Sequence, residues 1–190
     1  MPSPSIAEPG EPAKERLFVA LELPEDVRVA LVAWRPRDGG LRPVAAESLH
    51  VTLAFLGWRE AADADMIGAL LLPLGRPLHD VAIGGARWLP PRRPRVLAVE
   101  IEDGEGAMGA LAADVVGALE RDAGFVAERR AFLPHVTVAR VRAGGANARR
   151  RRGTLPPPPR MRFRVPALTL FRSRLSPSGA RYEALARVSL

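Results

Sequence analysis

Two of the three histidines in this 190-residue chain stand at the head of the same tripeptide. His50 opens HVTL within LHVTLAFLG (49–57), and His135 opens HVTV within LPHVTVAR (133–140). In an extended strand residues i and i+2 share a face. His50 and Thr52 therefore point one way while Val51 and Leu53 point the other, and His135 and Thr137 stand against Val136 and Val138 in the same manner. Each tripeptide presents an imidazole beside a hydroxyl, anchored from behind by aliphatic side chains.

Two imidazoles meeting at one site suit a reaction that removes one proton and donates another. With an ordinary pKa near ~6.5, one ring can be neutral and the other charged at working pH. The neutral ring takes a proton from water, and the imidazolium gives one to the leaving oxygen, each step contributing about 10²–10⁴-fold. The threonine hydroxyls can donate to the non-bridging oxygens of a phosphate held between them. A strained cyclic phosphodiester asks for little else, and no metal. The chemistry by itself does not rank which histidine is base and which acid.

A histidine pair also invites a metal reading, but a zinc site normally takes at least three protein ligands. The remaining histidine, His79 in PLHDVAIGG, has no echo elsewhere and is read as structural, and no HExxH pattern occurs. No metal and no cofactor is expected. One HVT alone would be an ordinary half-buried histidine; two matched copies argue for function.

The elements that must position these motifs follow from periodicity. RLFVALEL (16–23) reads as a buried strand, and Pro24 with Glu25 and Asp26 opens a helix that repeats Val27, Ala30, Leu31 and Trp34 at helical spacing. HVTLAFLG is the next strand, a helix follows over about 60–72, and two strand-like runs cover 79–89 and 95–102 around the turn-rich PPRRP. A helix over 107–121 carries Met108, Leu111, Val115 and Leu119 on one face, and strands follow at HVTVARV, 167–175 and 182–190. Strand, helix, HVT strand thus occurs once in each half. Adjacent strands predict hairpins, so the expected class is α+β with antiparallel sheets and a two-fold internal repeat rather than a doubly wound parallel sheet.

Composition bounds the rest. There is no cysteine, which excludes disulfides, thiolate zinc sites and cysteine nucleophiles and accords with a reducing cytoplasm, the expected compartment. No apolar run approaches the ~20 residues of a membrane span. Residues 1–14, MPSPSIAEPGEPAK, read as a disordered tail, and 15–190 as one domain, or two small lobes sharing one core, expected to be monomeric. Net charge is +7, and Lys14 is the single lysine among 28 basic residues. The plainer explanation of that arginine bias is a GC-rich genome that writes Arg for Lys; the charge by itself is compatible with an anionic partner and shows no more. Residues 142–160, containing AGGANARRRRGTLPPPP, lack periodicity and read as a flexible Arg/Pro-rich loop.

HVTL and HVTV resemble the paired His-x-Thr-x motifs of the two-histidine phosphoesterase superfamily. Within it the chain resembles the RNA 2′,3′-cyclic phosphodiesterases, formerly described as 2′-5′ RNA ligases. The likeness runs from about Arg16 to Tyr182, through RLFVALELPEDV, LHVTLAFLG, RPRVLAVEIE, FLPHVTVAR and LTLFRSRLSPSGARYEAL. It implies a bilobed α+β fold, two pseudo-symmetric antiparallel sheets with flanking helices and the site in a central cleft. It also implies hydrolysis of a 2′,3′-cyclic phosphate at an RNA end to a 2′-phosphate, with His50 as general base, His135 as general acid, and Thr52 and Thr137 binding phosphate. Arg140 corresponds to a substrate-contacting arginine, although an offset of five from His135 places it on the opposite face of a regular strand. Phe18 is a candidate for stacking on a base, against the plainer reading of core packing. The arginine-rich 142–160 insert departs from the family pattern.

Other readings fit the same residues. The chemistry could act on another cyclic phosphate, such as one of ADP-ribose, or on a 2′-5′ linked oligonucleotide, with weak RNA ligation as an accompanying activity. A non-catalytic RNA-binding protein would use the arginines and show salt-steep binding, but gives no reason for two matched HVT segments.

Overall fold

Leu17 to Leu21 is an unbroken apolar run, which suits a strand covered on both faces. β1 (Lys14–Glu22) is that strand, and residues 17–21 are 3% exposed or less. The computed structural model describes residues 13–127, 130–142, 155–176 and 179–190. β1 opens at Lys14, inside the segment expected to be tail, because Lys14 still pairs with Glu60 of β3 (His50–Glu60). The rest of that tail, 1–12, and the centre of the Arg/Pro-rich segment, 143–154, lie outside the described residues. The segment's remaining C-terminal part is packed: Leu155 lies against the core, and the Trp34 indole donates to the Pro156 carbonyl at 3.2 Å.

α1 (Glu25–Trp34) has Glu25 and Asp26 in its first turn, where carboxylates favour the helix dipole, and buries Val27 and Leu31. α2 (Asp63–Leu71) packs on β3, on β8 (Ala167–Ser176) and on β9 (Gly179–Ser189). Gly68 permits that approach: a Cβ there would come within 2.8 Å of the Ala186 Cβ. α3 (Ala107–Asp122) buries Met108, Leu111, Val115 and Leu119 completely, each worth ~1.5–3 kcal/mol. No helix among the described residues is long and apolar enough to cross a membrane.

The remaining strands are β2 (Leu41–Pro43), β4 (Val81–Leu89), β5 (Val96–Asp103), β6 (His135–Val141) and β7 (Arg162–Phe163). Two of these, β2 and β7, are too short to leave a periodic trace in sequence. The pairings are antiparallel, and the order is β7-β4-β5-β6-β3-β1-β8-β9 with β2 added to β6. The fold is α+β, and its halves correspond: β1 and β3 flank α1 as β5 and β6 flank α3. The two expected sheets meet at β3 and β6 through one residue pair, Val51 opposite Val136, which makes them a single sheet.

Candidate active site

That central pair sets the two motifs against each other. With the strands antiparallel and Val51 opposite Val136, His50 comes level with Thr137 and His135 level with Thr52. Val51 and Val136 are buried at 1% and 0% exposure, whereas both histidines and both threonines are half-buried. The alternation read from sequence is the alternation observed.

Each imidazole is held by the same device. The Nδ1–H of His50 donates to the Ser48 carbonyl at 2.8 Å, and that of His135 to the Leu133 carbonyl at 2.7 Å. A carbonyl only accepts, so the proton on Nδ1 is assigned by its partner, and Nε2 is left for chemistry. The His50 pKa is pushed down to about 4, first by burial, with the positive charge of Arg140 and the neighbouring His135 adding to it and the Ser48 hydrogen bond opposing. His50 is therefore neutral at physiological pH, with a bare Nε2.

A second match lies beside each histidine. Glu22 of β1 is opposite His50 and Ala20 opposite Thr52, while Glu100 of β5 is opposite His135 and Ala98 opposite Thr137. Each glutamate is engaged by an arginine. Arg187 donates to Glu22 at 2.9 and 3.3 Å, joined by the buried Thr169 hydroxyl at 2.6 Å, and Arg87 pairs with Glu100. These residues were not singled out from sequence. Their signal was present as ALEL (20–23) and AVEI (98–101), an Ala-x-Glu-x repeat preceding each helix and HVT strand.

Arg140 reaches the site face through a β-bulge. On β5 the step from Ala98 to Leu97 corresponds on β6 to a step from Thr137 to Ala139, leaving Val138 as an extra residue. Val138 and Ala139 are both buried, at 0% and 1%, so two neighbours point into the core and the parity reverses after them. Arg140 thus shares a face with His135 and Thr137, which a regular strand would forbid. It is exposed and forms no ion pair among the described residues. β3 carries the equivalent bulge at Leu53, since Ala20 pairs with Thr52 and Val19 with Ala54.

Phe18 offers no free face to a base. At 3% exposure it packs 5.3 Å from the Phe171 ring, 4.9 Å from Tyr182 and 4.9 Å from the His50 imidazole, forming a floor beneath His50. The aromatic surface beside the histidine is supplied instead by Phe171 and Tyr182, the latter edge-on to His50 at 5.2 Å. Together with Glu22, Arg28, Glu47, Leu49 and His50 they bound a pocket of about 170 Å³. His79 is exposed before β4, a strand that pairs with β5 and β7 and with neither HVT strand. Among the described residues no three histidine, aspartate or glutamate side chains gather as a metal-binding set.

A family model described as the 2′-5′ RNA ligase superfamily matches residues 23–176. The RNA 2′,3′-cyclic phosphodiesterase of Escherichia coli is 30% identical over 182 residues, covering 93% of this chain and 97% of that protein. The protein of the same name from Thermus thermophilus is 34% identical over 194 residues, covering 92% and 90%. Among solved structures, E. coli LigT complexed with 3′-AMP aligns with a TM-score of 0.76 at 29% identity, covering 94% of this chain and 99% of LigT. Sequence and fold agree across nearly the whole length, and this chain belongs to the 2′-5′ RNA ligase superfamily.

Proposed function

We propose that the chain opens 2′,3′-cyclic phosphates at RNA ends, leaving a 2′-phosphate, with His50 as general base, His135 as general acid and no metal ion. The bare Nε2 of His50 accepts a proton from water as its oxygen bonds to phosphorus. The P–O3′ bond breaks, and Nε2–H of protonated His135 delivers a proton to the departing 3′-oxygen. Thr52 and Thr137 donate to the non-bridging oxygens, and the guanidinium of Arg140 offsets the charge that accumulates on them. The pocket bounded by Phe171, Tyr182, Glu47 and Arg28 receives the terminal nucleoside, with rings for its base and charged groups for its polar edges.

The observation that carries this reading is the match of two tethered imidazoles, each level with the other motif's threonine across Val51 and Val136. The depressed pKa of His50 supports its assignment as the base. The relatives named RNA 2′,3′-cyclic phosphodiesterase support the substrate class. A 5′-hydroxyl in place of water would displace the same 3′-oxygen and form a 2′-5′ linkage, so weak ligation accompanies the hydrolysis.

The test is incubation of a short RNA ending in a 2′,3′-cyclic phosphate, with EDTA present, with wild type, His50→Ala and His135→Ala. Opening to a 2′-phosphate by wild type, with each variant reduced by about 10²–10⁴-fold, is expected. Substantial turnover by both folded variants would remove the two-histidine mechanism, and loss of wild-type activity in EDTA would remove its metal independence.

A further inference from the structure

β3 does not end its work at Thr52. Beyond the bulge at Leu53 it carries a second irregularity, where Phe18 pairs with Phe55 but Leu17 pairs with Gly57, leaving Leu56 as the extra residue. Gly57 takes a φ of 71°, a left-handed conformation that glycine adopts without penalty. Each bulge reverses the strand's parity, so Phe55 and Trp58 both return to the face of His50 and Thr52. Their partners on β1, Phe18 and Arg16, confirm this, being two residues apart on one face of a strand that pairs with β8 without a shift. Leu56, between them, is buried at 7%.

Phe55 is 60% exposed and Trp58 65%. Large aromatic side chains held out in water on a sheet face are the usual platform for unstacked bases. The row is continuous with the candidate active site: Phe55 lies 6.2 Å from the ring of Phe18, which lies 4.9 Å from His50. Phe55 and Trp58 are separated by two residues of the partner strand, about 7 Å. That is twice the ~3.4 Å rise of stacked nucleotides, so each ring can take its own base from an extended strand. Arg16, level with Trp58, and Lys14, two residues further along the same face, are exposed and form no ion pair among the described residues. They supply positive charge alongside the rings.

We propose that single-stranded RNA running 5′ from the reacting end lies along this row, its bases stacking on Phe55 and Trp58 and its phosphates meeting Arg16 and Lys14. This rests on the cyclic phosphodiesterase reading above and adds to it a preference for oligonucleotides over mononucleotides. The arginine-rich 142–160 segment is not needed for it.

The experiment compares kcat/KM for a nucleoside 2′,3′-cyclic phosphate with that for a tetranucleotide bearing the same end, in wild type and in Phe55→Ala, Trp58→Ala and the double variant. Wild type should favour the tetranucleotide, and each substitution should cut that ratio by about 5- to 150-fold, the worth of one stacked base. A wild-type ratio near one, or a ratio untouched in the double variant, overturns the proposal. If the ratio holds but the double variant changes the protein from dimer to monomer in sedimentation, the face belongs to a second copy, and the RNA row is likewise overturned. Binding of a labelled tetranucleotide ending in a 2′-phosphate needs no turnover and separates the two readings. A wild type inactive on both substrates refutes the phosphodiesterase alone. Weaker binding by Trp58→Ala, with the log–log salt slope reduced by roughly 0.7 in Arg16→Ala, then sustains the row, and equal binding removes it.

Discussion

Val51 of β3 lies directly opposite Val136 of β6, and this one pair joins the two halves of the sheet. On its buried side it is core; on the other side it sets each histidine level with the threonine of the opposite motif. The alignment of the candidate site therefore depends on two valines buried in the core.

Replacing either valine by alanine should cost about 2 kcal/mol through lost burial and the cavity left behind. Because the two are in register, their effects should couple in a double-mutant cycle. Urea unfolding of Val51→Ala, Val136→Ala and the pair checks this. Additive losses would mean that the valines stabilise their own halves without joining them.

The pKa of His50 at about 4 predicts the acid limb of the rate profile. A general base must be unprotonated, so kcat/KM on a cyclic-phosphate RNA should stay level as pH falls from 7 and decline only near 4. A decline centred near ~6.5, the ordinary histidine value, would remove either the burial effect or the base assignment.

The same shift bears on stability. Below pH ~6.5 the unfolded chain binds a proton that native His50 refuses, so the fold loses stability as pH drops from there to about 4. The loss from this residue is on the order of 3 kcal/mol, and His50→Gln, which does not titrate, should flatten that part of the stability–pH curve. Chemical denaturation at several pH values measures it.

On the proposed mechanism Arg140 has two effects that one variant can separate, binding phosphate and depressing the His50 pKa. Arg140→Ala should lower kcat/KM by about 10- to 100-fold, the worth of a charge-assisted hydrogen bond to phosphate. It should also raise the His50 pKa by removing a nearby positive charge. NMR titration of the imidazole reads the second effect without substrate, and an unmoved His50 would place the guanidinium outside the site.

The two glutamates flanking the histidines should differ in cost. Loss of Glu22 strips its acceptor from the fully buried hydroxyl of Thr169 as well as from Arg187, whereas loss of Glu100 frees a half-exposed Arg87. Glu22→Ala is thus expected to cost about 1–3 kcal/mol and Glu100→Ala less than about 1 kcal/mol. Thermal melts of the two variants side by side give the comparison.

By itself the sequence determined the two HVT strands, which face of each is core, and the strand–helix–strand order repeated around them. Those features follow from alternation and helical spacing within a few residues, where backbone geometry leaves little choice. The Ala-x-Glu-x repeat was also legible, but its meaning was not, because nothing within ALEL or AVEI says which strand it will pair with. Only the tertiary structure decided the register. Pairing with β1 and β5 places the bulges at Leu53 and Val138, and these turn Arg140 and Phe55 onto the face that simple alternation denies them. The burial of Phe18 beneath Phe171 and Tyr182 was decided in the same way, by strands about 150 residues downstream that are adjacent only in the folded sheet. Periodicity is a property of one strand, whereas register, bulges and shared faces are properties of pairs.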